Sequence, residues 1–124
     1  MQRTLKIIIT SDYLLQVKII DSENKETIIK LSEEHPDEFY TPSISFNGNF
    51  IDICHNNENV IHFMEDWLTK PQEFTVYTVQ FQDKEYTLLP EVLFALIINE
   101  FKKQVEKQFI IRNTRCVKLF FIFL

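Results

Sequence analysis

The chain has 124 residues, 45% of them hydrophobic and 12 of them phenylalanine, which supplies apolar side chains for one core and predicts a single domain. Its 13 basic and 18 acidic residues give a formal net charge of −5, and the basic residues are scattered, which argues against a nucleic-acid partner. A single glycine, Gly48, excludes Walker and Rossmann phosphate loops, because both need several glycines at fixed spacing.

The cysteines and apolar runs point to a cytoplasmic protein. Cys54 and Cys116 lie far apart, and the first residues show no signal-peptide pattern, so we expect reduced thiols. The longest apolar run, residues 119–124, is far shorter than the roughly 20 residues of a membrane helix. We therefore expect no membrane partner.

Alternating apolar residues predict two opening strands joined by a tight turn. Apolar side chains recur at every second position over residues 5–9 and 15–19. The polar residues Thr10, Ser11 and Asp12 separate the two runs, as expected for a hairpin turn.

The next stretch predicts a short strand, a loop and a second hairpin. A third strand is expected over residues 26–31, and residues 32–40 predict an acidic loop because their proline breaks regular structure. Extended structure resumes over residues 41–46 and 50–53. Asn47-Gly48 between them is a strong hairpin signal.

The second half predicts two helices and three strands. Helical spacing over residues 60–68 precedes strands at 74–81 and 85–88. A proline then begins the longest helix, from residue 90 to about 108, and a final strand starts near residue 110. We expect the helix to pack on the two preceding strands through an apolar stripe made of Val92, Phe94, Ala95, Ile97, Ile98, Phe101 and Val105.

Three short motifs, in order along the chain, match one known family. Thr41-Pro42-Ser43 leads into a strand, and Val79-Gln80-Phe81 turns into Lys84-Glu85-Tyr86-Thr87. Pro90-Glu91-Val92 opens the helix that continues through Ile97, Phe101, Lys102, Lys103 and Glu106. These motifs and their order resemble the seventy-kilodalton heat-shock chaperones over essentially residues 5–112. The resemblance implies an α+β fold, the N-terminal portion of an actin-like ATPase fold, with a β-hairpin plus a small mixed α/β lobe and one long helix.

The resemblance places a residual first phosphate turn at Thr10, Ser11, Asp12 and Tyr13, which are our candidate cofactor-binding residues. In the family this turn holds an acid near the metal and a glycine at the phosphate. Here Ile8 stands at the place of the acid and Thr10 at that of the glycine. The carboxylate of Asp12 would repel a phosphate unless a metal bridged the two.

Two further departures indicate that the chemistry of the family is lost. The catalytic lysine falls near Glu65, an acid that would oppose phosphoryl transfer, and Asp52 replaces a glycine. In the family, the rest of the ATP cleft comes from sequence beyond residue 124. We therefore expect no enzyme and no cofactor, with ATP and magnesium bound only if another chain completes the site.

The resemblance also defines two segments and a binding surface. Residues 1–112 read as a truncated chaperone-type nucleotide-binding domain, and residues 113–124 as an apolar tail, either a buried final strand or sequence that is not native coding. The hairpin and final strand of the family belong to a larger sheet, which here would end early. We expect a protein partner or self-association through an exposed edge formed by residues 5–9, 15–19 and 117–124.

Other candidate sites have simpler explanations. Cys54-His55 with His62 matches no zinc spacing, so no metal is expected. Cys116 lacks a histidine to activate it and is read as a plain thiol. Five acidic residues offer the oxygen ligands that a divalent cation takes, but we interpret them as a solvated acidic loop: Asp12, Glu33, Glu34, Asp37 and Glu38.

Three classes of function stay open from the sequence. The first is a non-catalytic chaperone remnant, either functionless or acting as a small interaction module. The second is an ATP-binding chaperone component completed by another chain. The third is an unrelated small α+β binding protein.

Overall fold

A computed structural model describes residues 4–31, 39–53, 60–70, 75–109 and 118–124, apart from the side chains of residues 108, 109 and 118. The fold is α+β, mostly sheet with one long helix. Within the described ranges its elements are β1 (Thr4–Ile9), β2 (Leu15–Ile20), β3 (Glu26–Ile28), β4 (Ser43–Asn47), β5 (Phe50–Ile53), β6 (Ile61–His62), α1 (Met64–Thr69), β7 (Tyr77–Phe81), β8 (Lys84–Leu88), α2 (Pro90–Phe109) and β9 (Lys118–Phe123).

The chain divides into two compact units. The first comprises Met1–Tyr40 with Asn99–Leu124, and the second comprises Thr41–Ile98. The boundary falls inside α2, so each unit contains part of that helix.

The first unit contains a four-stranded sheet in the order β3-β2-β1-β9. Strand β2 runs antiparallel to β1 and β3, whereas β9 runs parallel to β1. Because side chains alternate between the faces of a strand, every second residue of β1 and β2 lies on one face. The pairs on that face are all buried and form the core: Leu5 with Ile19, Ile7 with Val17, and Ile9 with Leu15.

Tyr40 ties the end of the first segment to this core. Its backbone exchanges two hydrogen bonds with Leu15, with N···O distances of 2.8 and 2.7 Å. Its hydroxyl accepts a hydrogen bond from the Leu31 N–H at 2.9 Å, and its ring meets Phe101 edge-on at 5.6 Å. Tyr40 and Phe101 are both fully buried, so this contact belongs to the core of the unit.

The second unit contains the sheet β5-β4-β6 and the β7-β8 ribbon. Gly48, with φ +61°, begins the two-residue loop between β4 and β5, where a type II′ turn favours glycine. The Gln82 N–H donates to the Gly48 carbonyl at 3.0 Å, and Phe46 meets Phe81 edge-on at 6.0 Å. These contacts hold the tips of the two hairpins together.

Several predicted elements have different limits in the structure. The third strand ends at Ile28, and the strand predicted from residue 74 begins at Tyr77. The helix predicted over residues 60–68 begins only at Met64, because residues 61–62 instead pair with β4 as β6. The long helix is confirmed, at Pro90–Phe109.

The prediction of the apolar stripe of α2 was partly wrong. Val92 is 41% exposed and Ala95 is exposed, whereas Leu93 is fully buried. Residues 84–87 of β8 are exposed on both faces, so α2 does not cover that strand. In this unit the helix makes a ring contact through Phe94 with Trp67 of α1, with ring centroids 5.4 Å apart.

Of the three segments expected to form an exposed edge, only the tail lies at an edge of the sheet. Residues 5–9 and 15–19 are central strands, paired on both sides and largely buried, so they are not an edge. The tail does form a strand, β9, but it lies at the edge of the sheet and is largely exposed rather than buried. In the described ranges, no helix is long and apolar enough to cross a membrane.

Candidate functional site

The predicted phosphate turn is the hairpin loop between β1 and β2. The Thr10 N–H donates to the Leu14 carbonyl at 2.9 Å, and the Tyr13 N–H donates to the Thr10 carbonyl at 3.0 Å. The Leu14 N–H donates to the Thr10 Oγ1 at 3.0 Å. Tyr13 has a φ of +62°, which is typical of the last residue in a three-residue hairpin loop.

The loop between β2 and β3 has the same construction. The Asp21 N–H donates to the Lys25 carbonyl and the Asn24 N–H donates to the Asp21 carbonyl, both at 3.1 Å. The Asp21 Oδ1 accepts the Lys25 N–H at 2.9 Å, as the Thr10 Oγ1 accepts the Leu14 N–H. Asn24, like Tyr13, has a φ of +62°. The first turn is therefore one of two equivalent hairpin loops, and its geometry alone marks no ligand site.

This geometry leaves few backbone N–H groups of the turn to bind an anion. A phosphate loop presents several backbone N–H groups to its ligand. Here three of those groups are bonded within the loop itself, and the two central N–H groups belong to Ser11 and Asp12. Asp12 is exposed and carries a negative charge beside them.

The structure places the three residues that the resemblance aligned with the chemistry of the chaperones as follows. Ile8 is buried in the sheet of the first unit, so position 8 offers only a hydrocarbon side chain. Glu65 lies in the first turn of α1, exposed to solvent. The Asp52 carboxylate accepts a hydrogen bond from the Asn47 side-chain amide at 2.6 Å, next to the buried Ser45. Asp52 thus has a structural partner within its own hairpin.

A charged cluster lies on the opposite face of the first sheet from its core. The Glu26 carboxylate bridges Lys6 and Lys18, with N···O distances of 3.0 and 3.4 Å. The hydrogen bond from Lys6, helped by the positive charges of both lysines, holds the pKa of Glu26 below its ordinary value. The strand register explains the cluster. It places Lys6 opposite Lys18, and these two positive charges would repel each other without the Glu26 carboxylate.

The most unusual surface of the described chain is the edge strand β9. It exposes a run of apolar side chains, with Phe120 at 51%, Phe123 at 61% and Leu124 at 72%. Leu119 and Phe121 are also more than a third exposed. Single exposed apolar residues are common, but five in six consecutive positions, on both faces of the strand, make β9 a candidate binding surface.

Several predicted residues lie outside the described ranges. These are the acids of the loop over residues 32–38, Cys54, His55 and Cys116. Within the ranges that the structure describes, no three His, Cys, Asp or Glu side chains are close enough together to hold a metal.

Sequence reasoning missed the structural role of Tyr40, which it assigned to the acidic loop. A hydrophobic residue next to the restart of extended structure was the available signal.

The comparisons with known proteins add no relative, since no protein-family model matches the chain and no curated protein matches it.

Proposed function

We propose that this chain is a non-catalytic protein-interaction module, related to the nucleotide-binding domain of the heat-shock chaperones, which acts without ATP or magnesium. The observation that carries the non-catalytic part is the closed Thr10–Tyr13 turn. The N–H groups of Thr10, Tyr13 and the following Leu14 are bonded within the loop, the exposed Asp12 carboxylate repels phosphate, and Ile8 cannot ligate a metal.

The actin-like part of the proposal is supported by the sheet and by the order of the units. The resemblance implies that the opening hairpin and the final strand share one sheet. Here β9 lies beside β1, on the side opposite β2. The unit Thr41–Ile98 is inserted in the chain between the hairpin and β9, where the resemblance expects the small lobe.

The interaction part is supported by β9. Exposed edge strands offer backbone hydrogen bonds to another chain, and apolar side chains on that edge add a hydrophobic contribution. Strand β9 has both features, whereas the Thr10–Tyr13 turn has neither.

A phosphate-release assay with magnesium and ATP tests the non-catalytic part. We expect the purified chain to release phosphate no faster than a blank without protein. The Asp12→Ala variant is the control and should give the same result. Release above the blank that disappears in Asp12→Ala would overturn the proposal in favour of an ATP-binding component completed by another chain.

A further inference from the structure

The backbone of β9 has a defined inner and outer side. The Leu124 N–H donates to the Ile9 carbonyl at 2.9 Å, so the backbone groups of residue 124 point toward β1. Because these groups alternate in direction along a strand, residues 120 and 122 also point toward β1. The N–H and carbonyl groups of Leu119 and Phe123 therefore point away from β1, toward the outer edge.

No strand of the described chain pairs with this outer edge. The other edge strand of the same sheet, β3, is only three residues long and contains Glu26, which protects it against pairing. Strand β9 is six residues long, and Lys118 at its first position is its only charged residue. The two edges of the sheet thus differ, and among the described residues β9 is the edge that no strand covers.

We propose, building on the interaction role above, that β9 pairs edge to edge with β9 of a second copy of this chain, antiparallel about a two-fold axis. Antiparallel pairing places the two Lys118 residues at opposite ends of the new ladder, so like charges do not meet. The apolar side chains of Leu119, Phe121 and Phe123, which share the face of Leu5, Ile7 and Ile9, then stand beside those of the second copy on the same face of the joined sheet. A two-fold contact of this kind is closed and uses the same surface on both copies.

The exposed apolar area of β9 indicates how strong the contact between copies can be. At about 200 Å² for a fully exposed aromatic side chain, the exposed fractions of Phe120, Phe121 and Phe123 leave on the order of 300 Å² per copy. Strand pairing buries only part of this area, because the side chains of paired strands stand beside one another on the two faces of the joined sheet, so the contact is smaller than a standard interface of about 1,600 Å². A weak, concentration-dependent dimer is expected from an area of this size.

Sedimentation velocity of the full chain at tens of micromolar, with two matched variants, tests the dimer. Phe123→Lys puts a charge on the edge, and Phe50→Lys makes the same change at an exposed phenylalanine of β5, which is 73% exposed against 61% for Phe123. We expect Phe123→Lys to weaken dimerisation on the order of a hundredfold, because the change occurs twice in a two-fold interface, and Phe50→Lys to leave it unchanged. Equal loss in both variants, or in neither, would overturn the proposal.

Amide hydrogen exchange of the unmodified chain gives a second test that depends on no variant. The amide of Leu124 should be protected at every protein concentration, since it is bonded within the chain. The amides of Leu119 and Phe123 should gain protection as the concentration rises into the range of the dimer. Protection that does not depend on concentration would overturn the proposal.

These tests separate this inference from the proposed function. A clean monomer at tens of micromolar, or open-ended association into larger species, overturns the β9 dimer and leaves the non-catalytic assignment standing. Phosphate release overturns that assignment whatever the oligomeric state.

Discussion

At the scale of single residues, a short side chain at the first position of each hairpin loop determines the turn. Thr10 and Asp21 each accept the N–H of the residue four positions later, and each loop ends its turn at a residue with φ +62°. The Thr10 hydroxyl, part of the polar cluster that suggested a phosphate site in the sequence, thus closes a loop. Side-chain acceptors of this kind favour turns over regular structure.

Removing the Thr10 hydroxyl should destabilise the first hairpin. Thr10→Ala leaves the Leu14 N–H without its acceptor, and we expect a loss of about 1 kcal/mol in the free energy of unfolding. Thr10→Ser keeps the hydroxyl and should lose much less. Chemical denaturation measures both variants, and equal losses would show that the hydroxyl does not support the turn.

Acid should weaken the first sheet through Glu26. Its pKa is lowered in the folded chain, so its contribution to stability is present above the unfolded pKa and is lost as pH falls through the folded pKa. Unfolding curves from pH 6 down to pH 3 should therefore show a steeper loss in the unmodified chain than in Glu26→Gln. The same pH dependence of unfolding in both proteins would show that the ion pairs of Glu26 with Lys6 and Lys18 do not contribute to stability.

At the scale of elements, the long helix α2 is the part of the fold that the sequence predicted best. The predicted and observed limits of α2 agree because Pro90 fixes its first residue and the helical spacing of apolar residues continues over several turns. Its buried face was less well predicted, since Leu93 rather than Val92 is buried. Helical periodicity predicts that α2 has a buried apolar face. Which residues lie on that face depends on the side chains that pack against the helix, here Trp67 and Tyr40.

A pair of truncations on α2 tests this face. Phe101 is fully buried against Tyr40, so Phe101→Ala should lower the free energy of unfolding by about 3–5 kcal/mol. Val92→Ala, at an exposed position of the same helix, should change it by less than about 0.5 kcal/mol. Thermal unfolding compares the two, and an unchanged midpoint for Phe101→Ala would show that this face is not buried.

Strand pairing was harder to predict than strand existence. Local alternation identified β1 and β2, but the pairing of β9 with β1 joins residues more than a hundred positions apart. The two-residue strand β6 exists only because Ile61 lies opposite Ile44 in β4. Such pairings depend on long-range contacts, which local sequence patterns do not contain.

At the scale of the whole molecule, net charge and the apolar edge act against each other. Each copy has a formal charge of −5, so two copies repel at long range, while β9 contributes apolar contact at short range. Added salt screens the repulsion and leaves the apolar contact in place. Dimerisation should therefore strengthen between 50 and 300 mM salt, about the range over which screening becomes effective, and weakening over that range would indicate that ion pairs hold the copies together.

The candidate phosphate site shows what the sequence could and could not predict at this scale. From the resemblance, the identities of Ile8, Thr10 and Glu65 were enough to predict that a phosphate site here would lack its acid, its glycine and its lysine. The closure of the turn on itself could not be read from the residues, since Thr10, Ser11 and Asp12 are compatible with an open or a closed loop. Hydrogen-bond geometry supplies that part of the argument.

Isothermal titration calorimetry with magnesium and ATP tests the central claim, a module that acts without nucleotide, most directly. The closed turn and the exposed Asp12 predict no saturable heat at ligand concentrations up to the millimolar range, about the limit of weak binding. The unmodified chain and Asp12→Ala should give indistinguishable traces. Saturable, magnesium-dependent binding that weakens in Asp12→Ala would contradict the account.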